Sequence, residues 1–300
     1  MAQGPIPVKV SNPTAIGNQF FVNESTGNNS NVGNSTFPFA TLDAALAACT
    51  ANHNDIVFLQ GTVHRTSTLL WNKDGVSLVG LSAPSDNDRA RISITGSAVF
   101  TPLVNVTAQG CSFLNLGTFQ GFADNSAQVC WAEAGGRNFY SNVQFLGGGN
   151  ATAAAHVGMR SLTVDGAGEN LFVGCTIGLD TVVRGVANAS LEFINATPRN
   201  TFRQCTFQMD ASASTPLHVT VGSGGLDRYA YFDDCAFLNA VESGATTIAA
   251  AIVANASAGG AVCLNTCFSL GATAIATTGP VYILGNVPVA ATSSIAIKAT

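Results

Sequence analysis

The sequence predicts an all-β chain, a single-stranded parallel β-helix of about seven or more coils with a short N-terminal capping helix. Three observations carry this. The line RNTFRQCTFQMD (199–210) is preceded thirty residues earlier by ENLFVGCTIGLD and followed thirty residues later by YAYFDDCAFLNA. Self-similarity at such a period marks a solenoid, propeller or array. The units are rich in Val, Ile, Phe and Thr with period-2 alternation, broken by Gly, Asn, Asp and Ser, so each is a set of short strands. Helical spacing is clear in one stretch only, TLDAALAACT (41–50).

Taken in order, residues 1–17 read as an extended N-terminal arm. GPIPVKVSNP has no helix pattern, two prolines before Val8, and alternating Ile6, Val8 and Val10. Such an arm suits strand addition to a partner's sheet edge; a disordered leader or an edge strand of the solenoid itself is the plainer alternative. Residues 18–54 hold an alternating strand, a Gly/Asn/Ser loop and the helix, with Thr41 as N-cap and Asp43 in its first turn. A β-helix exposes an apolar end, and a short amphipathic helix covers it. Residues 55–285 form the coils, opening with DIVFLQG as a strand. Residues 286–300 are an apolar tail with one charged side chain, Lys298.

Anchors for the repeat are Val79, Cys111, Val143, Cys175, Cys205, Cys235 and Cys267, at steps of 32, 32, 32, 30, 30 and 32 residues. An apolar residue three before the anchor would face away from it in a plain strand. A two-residue bend between them turns both inward. The bend pairs are Ser141-Asn142, Val173-Gly174, Arg203-Gln204, Asp233-Asp234 and Asn265-Thr266. Asn, Gly and Asp tolerate the left-handed conformation a bend needs, and Gln204 fits less well. Coils then stack about 4.8 Å apart. Cys111, Cys175, Cys205, Cys235 and Cys267 are expected to form one internal ladder, and Asn138, Asn170 and Asn200 a second. Stacked side chains point the same way, which suits a disulfide poorly, so the eight cysteines are read as free thiols and the ladder as small core residues. The spacing without paired His does not support a metal site.

The segment FVNESTGNNSNVGNSTFPFATLDAALAAC…NDIVFLQGT resembles the opening of the pectin-lyase-like right-handed parallel β-helix family. There a strand, a G-N-x-x-x-G loop, a P-F-x-T-L helix start and a D-x-V-x-L-x-x-G-T strand come in this order. The coils resemble the family's apolar-x-x-C-x-F turns, and the likeness covers roughly residues 19–285. It implies a right-handed helix and says little of activity. The family includes pectate and pectin lyases, polygalacturonases, phage tailspike depolymerases and non-enzymatic virion proteins.

Hydrolysis of a polysaccharide needs two carboxylates facing one groove. Lyase chemistry needs a base and Ca²⁺ held by several carboxylates. Asp233-Asp234 coincides with a bend and reads as turn chemistry. Asp180 and Asp210 both lie five after their anchors and are expected to stack, with Glu192 nearby; Arg184 and Arg203 are their expected partners. His53, His64, His156 and His218 are isolated and read as loop or surface residues. The Gly-His-Gly and Asn-Thr-Asp patterns of polygalacturonases are absent, as are the Trp-x-Asp-His and Arg-x-Pro-x-x-Arg patterns of pectate lyases. Gly147-Gly148-Gly149 reads as a loop, with no Lys-Ser/Thr after it to make a phosphate cradle. No catalytic residue, metal or cofactor is assigned.

Only 10% of residues are charged, against roughly 25% in a typical soluble domain, which leaves much of the exterior neutral or apolar. Net charge is −5 and no basic tract exists, so neither nucleic acid nor an anionic membrane is an expected partner. MAQGPIPVKV lacks the apolar core of a signal peptide, and no run of about 18 apolar residues appears. Synthesis in a host cytoplasm is expected. The whole, including the GVSLVGL coil start, is similar to β-helix virion proteins of tailed bacteriophages. That resemblance implies a non-enzymatic capsid decoration (cement) protein on the capsid surface of a virion, homotrimeric and bound to the major capsid protein. The alternative is a tailspike-like protein that binds or cleaves host glycan.

Overall fold

The computed structural model describes residues 17–83, 85, 89–239, 246–276 and 279–284. The arm residues Ile6, Val8 and Val10 and the tail 286–300 lie outside them. The chain is a right-handed parallel β-helix. Every ladder between its strands is parallel, in a 16-stranded long sheet, an eight-stranded second sheet and a two-stranded pair. One turn of the solenoid runs from a long-sheet strand through a bend to a short strand, then by a loop to the second sheet and back.

The bend works as its spacing predicts. Asn115, Asn142, Gly174, Gln204, Asp234 and Thr266 stand in one column, with φ of 54, 52, 61, 52, 54 and 50°. Gln204 and the β-branched Thr266 adopt the left-handed region as well. A repeated backbone bond accompanies the bend in three coils: the amides of Gly174, Gln204 and Asp234 each donate to the next coil, to Arg203, Asp233 and Asn265 carbonyls.

Because residues on both sides of the bend face inward, the core is a set of stacked like side chains. Phe113, Tyr140, Phe172, Phe202 and Phe232 form an aromatic column with successive centroid spacings of 4.9, 4.5, 4.4 and 5.0 Å. Cys175, Cys205 and Cys235 form the adjacent column, buried, with Cys267 half-buried above them. All eight cysteines are free thiols. Cys205, Cys235 and Cys267 donate to the carbonyls of Phe172, Phe202 and Phe232 one coil back, at 3.6, 3.5 and 3.4 Å. Burial pushes the Cys205 thiol well above its usual range.

Cys111 is not part of that ladder. Ser112 pairs with Phe139, which puts Cys111 beside Asn138 in the asparagine column. Leu116 holds the anchor position under Val143, so this coil is 27 residues long and the even step of 32 fails there. Val79 is likewise displaced. Leu78 is the inward residue beside Phe113, and Leu81 is 44% exposed. Residues between 81 and 90 are inserted before the next strand, Arg91–Ile94, rejoins the sheet.

The asparagine column is the second ladder, and it serves the turns. Asn138 Oδ1 accepts from the Cys111 amide at 2.8 Å, and Asn170 Oδ1 from the Asn138 amide at 2.9 Å. Asn170 Nδ2 donates to Asn200 Oδ1 at 2.9 Å. Each asparagine satisfies backbone groups that a buried turn would orphan.

Helix α1 (Leu42–Ala48) closes the N-terminal end, with Leu42, Ala45 and Leu46 buried. Thr41 is its N-cap, accepting from the Ala44 amide. Asp43 reaches the buried Arg65 as an ion pair. Asp55 fastens the same end, accepting from the amides of Asn18 and Thr50, each at 2.6 Å, and from His53 at 2.7 Å. Burial pushes the Asp55 carboxyl up, but those bonds outweigh it and hold it below the usual range. A second short helix, α2 (Ala151–Ala154), follows the triple glycine with Asn150 as N-cap. Gly149 packs so closely on the Phe119 ring that a Cβ would lie 2.3 Å from it.

Candidate functional site

The outward face of the second sheet is the first place to seek chemistry, since its eight parallel strands stack there in register. Asn105, Ala132, Thr163, Glu192, Thr220 and Val253 share one column in register. The column carries a single carboxylate. Glu192 is held by Arg160 in a two-point ion pair, Nε to Oε2 at 2.9 Å and Nη2 to Oε1 at 3.2 Å. Arg160 Nη1 is also spent, on the carbonyls of Val157 and Met159. Glu192 thus has a fixed cation and no second acid in its column, which suits positioning more than proton transfer.

Asp180 and Asp210 do not stack. Gly178, at φ 102°, turns the chain outward, and the strand after it pairs Val183 with Asp210. Asp180 is left exposed three residues earlier. Arg184 and Arg203 are not their partners. Arg203 pairs with Asp233 at 3.0 Å, and Asp233 accepts from Asn265 Nδ2 at 2.8 Å, a ladder across three coils on the long sheet. Asp234 is a bend residue at φ 54°, as turn chemistry predicts. Arg184 is buried and bound only to neutral acceptors: Asn188 Oδ1 and Ser190 Oγ, each at 2.8 Å, and the Leu217 carbonyl at 2.9 Å. Burial lowers its guanidinium to about 9.

His218 corrects the reading of the histidines as surface residues. It is fully buried at the start of strand Leu217–Val221, its ring 5.9 Å from Phe237, and neither ring nitrogen has a hydrogen-bond partner. Burial, then the Arg184 charge, drive its pKa well below the ordinary value, so it is a neutral ring. The others fit a surface role: His64 Nδ1 meets Glu24 at 2.9 Å, and His156 Nδ1 accepts from the Gly158 amide.

Glu133 is the polar group that sequence reasoning missed. It ends strand Val129–Glu133, two residues after the inward Trp131, and so points into the core, with no exposed surface. Oε1 accepts from the amides of Gly135 (3.2 Å) and Gly136 (2.7 Å) and from Asn138 Nδ2 (3.0 Å). Oε2 accepts from the Tyr140 hydroxyl. Burial raises its carboxyl to about 7 despite those four donors. The only available signal was parity: Glu133 shares the inward phase of Trp131. Its location inside a sealed core makes it structural. Among the described residues, no three His, Cys, Asp or Glu side chains converge to hold a metal ion.

A different kind of surface lies on the long sheet. Its outward face changes character along the axis. In the middle coils it carries the Arg203–Asp233 pair. In the last coils Tyr231, Cys263 and Tyr282 are in register, as are Ala236 with Phe268 and Leu238 with Leu270. Tyr229, Phe268, Leu270, Tyr282 and Leu284 are 41, 43, 40, 56 and 45% exposed. Together they form an exposed apolar strip on the described part of the long sheet.

No family model matches the chain, and no curated protein matches it. Solved structures do. A pectate lyase, Pel9A, superposes with a TM-score of 0.57 at 14% identity, over 83% of this chain and 62% of that one. A rhamnogalacturonan lyase gives 0.55 at 12% identity, over 84% and 68%. A pectin methylesterase from Aspergillus niger gives 0.56 at 14%, over 91% and 86%. The fold is the pectin-lyase-like parallel β-helix. At these identities the likeness is one of fold alone.

Proposed function

We propose that this chain is a non-enzymatic structural protein of a virion, a capsid decoration protein of a tailed bacteriophage that stabilises the shell. The apolar strip on the long sheet, from Tyr229 to Leu284, is the observation that carries an assembly role. It lies on a flat side of a rigid solenoid, where copies of the same chain can pack side by side as a homotrimer. The candidate acids support the same reading: Glu192 is tied to Arg160, Asp233 to Arg203, and Asp180 and Asp210 stand out of register. A decoration protein binds the assembled shell and not its free subunits, so shell opening must break its contacts too. Residues 1–17 supply the attachment arm to the major capsid protein in this proposal.

Polysaccharide binding or cleavage stands beside it as a second reading. The lyases and the methylesterase named above act on glycans through this same fold, and Arg160 with Glu192 offers a polar site on the second sheet. Copy number separates the two. The purified particle is quantified by mass spectrometry against the major shell protein. A ratio approaching one supports shell-wide decoration. A few copies per particle favours a glycan-directed spike, and absence from particles overturns both virion roles. Light scattering at micromolar concentration tests the trimer, which a persistent monomer refutes. Deletion of residues 1–17 is expected to spare the fold and abolish attachment.

A further inference from the structure

Two carboxyl groups are fully buried among the described residues, Asp55 and Glu133. Their surroundings push them in opposite directions. Burial raises Glu133, in the coils, to about 7. Burial pushes Asp55 up as well, but its bonds to Thr50, His53 and Asn18 outweigh that and hold it below its ordinary 3.8.

Asp55 fastens the cover of the N-terminal end. Helix α1 has seven residues, and isolated helices shorter than about 12–15 residues are marginal in water. It therefore stands by its attachments. Leu42, Ala45 and Leu46, with Cys49 just beyond, are buried in the core at this end. The Asp43–Arg65 ion pair ties the first turn. At the other end the carbonyls of Ala47 and Cys49 accept from Lys73 Nζ at 2.9 and 2.5 Å. The chain leaving the helix is tied by Asp55. Its Oδ2 takes the Thr50 amide, and its Oδ1 takes the Asn18 amide, just before strand Gln19–Val22. One carboxylate thus joins the exit of the helix to the entry of the solenoid, with both oxygens committed.

Few other charges face it. His53 lies in its own turn, at 2.7 Å. The Cys49 thiol sits at the helix end, where burial and then the Asp55 charge push it up to about 12. Lys73 is spent on the helix carbonyls, and Asp74 Oδ1 accepts from the Gln109 amide at 2.9 Å. Strands Gln19–Val22 and Ile56–Leu59 bring no charged group.

We propose that Asp55 is an acid-released latch: its protonation frees the Thr50 and Asn18 amides, and α1 lifts from the end of the solenoid while the coils stay folded. A protonated carboxyl gains a donor that neither amide can use. Asp55 holds its proton less tightly closed than open, so its contribution to closure is full above pH 3.8 and is lost as pH falls below it. Glu133 has the opposite sign, since acid favours its folded form. His218 weakens the coils in acid, but that cost begins at pH 6.5, above the Asp55 window. Release of α1 is then a local unfolding that bares the apolar first coil.

Cys49 reports on the latch. The full chain is labelled from pH 7 to pH 2.5 with 4,4′-dithiodipyridine, which reacts with thiols in acid, and peptic peptides are quantified by mass spectrometry. Half-exposed Cys263 supplies the intrinsic rate, while buried Cys130 and Cys205 report on the coils. The Cys49-to-Cys263 ratio is expected to be flat from pH 7 to pH 4 and to rise about tenfold per pH unit below 3.8, as uptake of one proton requires. Cys130 and Cys205 are expected to stay unlabelled. Asp55→Asn should raise the ratio at pH 7 and abolish the slope, whereas Asp43→Asn, at the other end of the helix, should keep the slope. A ratio flat down to pH 2.5, a slope that survives in Asp55→Asn or vanishes in Asp43→Asn, or labelling of Cys130 and Cys205 in step with Cys49 overturns the proposal. Should Asp55→Asn fail to fold, its coil cysteines label at pH 7, and the profiles of the wild type and Asp43→Asn decide.

Discussion

Replacing Glu133 by Gln isolates the energetic consequence of a carboxyl sealed in a β-helix core. In the folded protein burial holds Glu133 at about 7, against an ordinary 4.5. The folded state therefore keeps its proton more tightly than the unfolded chain does. Stability from this group is full below pH 4.5, is lost as pH rises from 4.5 to 7, and is constant above. At roughly 1.4 kcal/mol per pH unit, the loss is on the order of 3 kcal/mol. Gln keeps the contacts: its oxygen can accept from Gly135, Gly136 and Asn138, while its amide donates to the Tyr140 hydroxyl, which reverses its role. Urea unfolding at pH 5 and pH 8 is run on both proteins, with stability from linear extrapolation. Other groups titrate in this window in both proteins, so the informative quantity is the mutant-minus-wild-type difference. It is expected to move in favour of Glu133→Gln by on the order of 3 kcal/mol from pH 5 to pH 8. A difference that stays constant with pH refutes the argument, because it means that Glu133 has the same proton affinity folded and unfolded.

Three further outcomes test the fold. Phe202→Ala removes a ring stacked between Phe172 and Phe232 and should cost about 3–5 kcal/mol in the same unfolding assay, by the transfer and cavity terms of a buried aromatic. Thr266→Gly relieves a β-branched residue at φ 50° and should stabilise by about 0.5–1 kcal/mol, the left-handed strain less the extra freedom of glycine when unfolded. His218→Leu removes two unpartnered ring nitrogens from the core, and should stabilise by about 1–3 kcal/mol. The histidine's depressed pKa means the wild type loses stability as pH falls below 6.5, where the unfolded ring takes a proton. Scanning calorimetry from pH 5 to 8 should show that slope diminished in His218→Leu.

The sequence by itself determined the architecture and much of its interior. A bend two residues long, repeated with Asn, Gly or Asp in it, forces apolar residues three apart to one side, and that local geometry repeats wherever the pattern does. Thus the aromatic and cysteine columns from Tyr140 to Cys267, the asparagine ladder, the free thiols and the Thr41 cap were all legible. Where the repeat length changes, register is set by the packing of one coil on the next, which no single coil encodes. Only the tertiary structure decided that Leu116 and not Cys111 underlies Val143, that Leu78 and not Val79 faces in, and that Asp180 misses Asp210 by three residues. It also decided which charges meet. Glu133 finds Tyr140 and Asn138 across a turn, and Arg184 finds Asn188 and Ser190 but no acid. His218 is buried together with the next residue of its strand, Val219, which breaks the simple alternation. Burial of a polar side chain depends on what the neighbouring coils place around it, and that is a property of the stack.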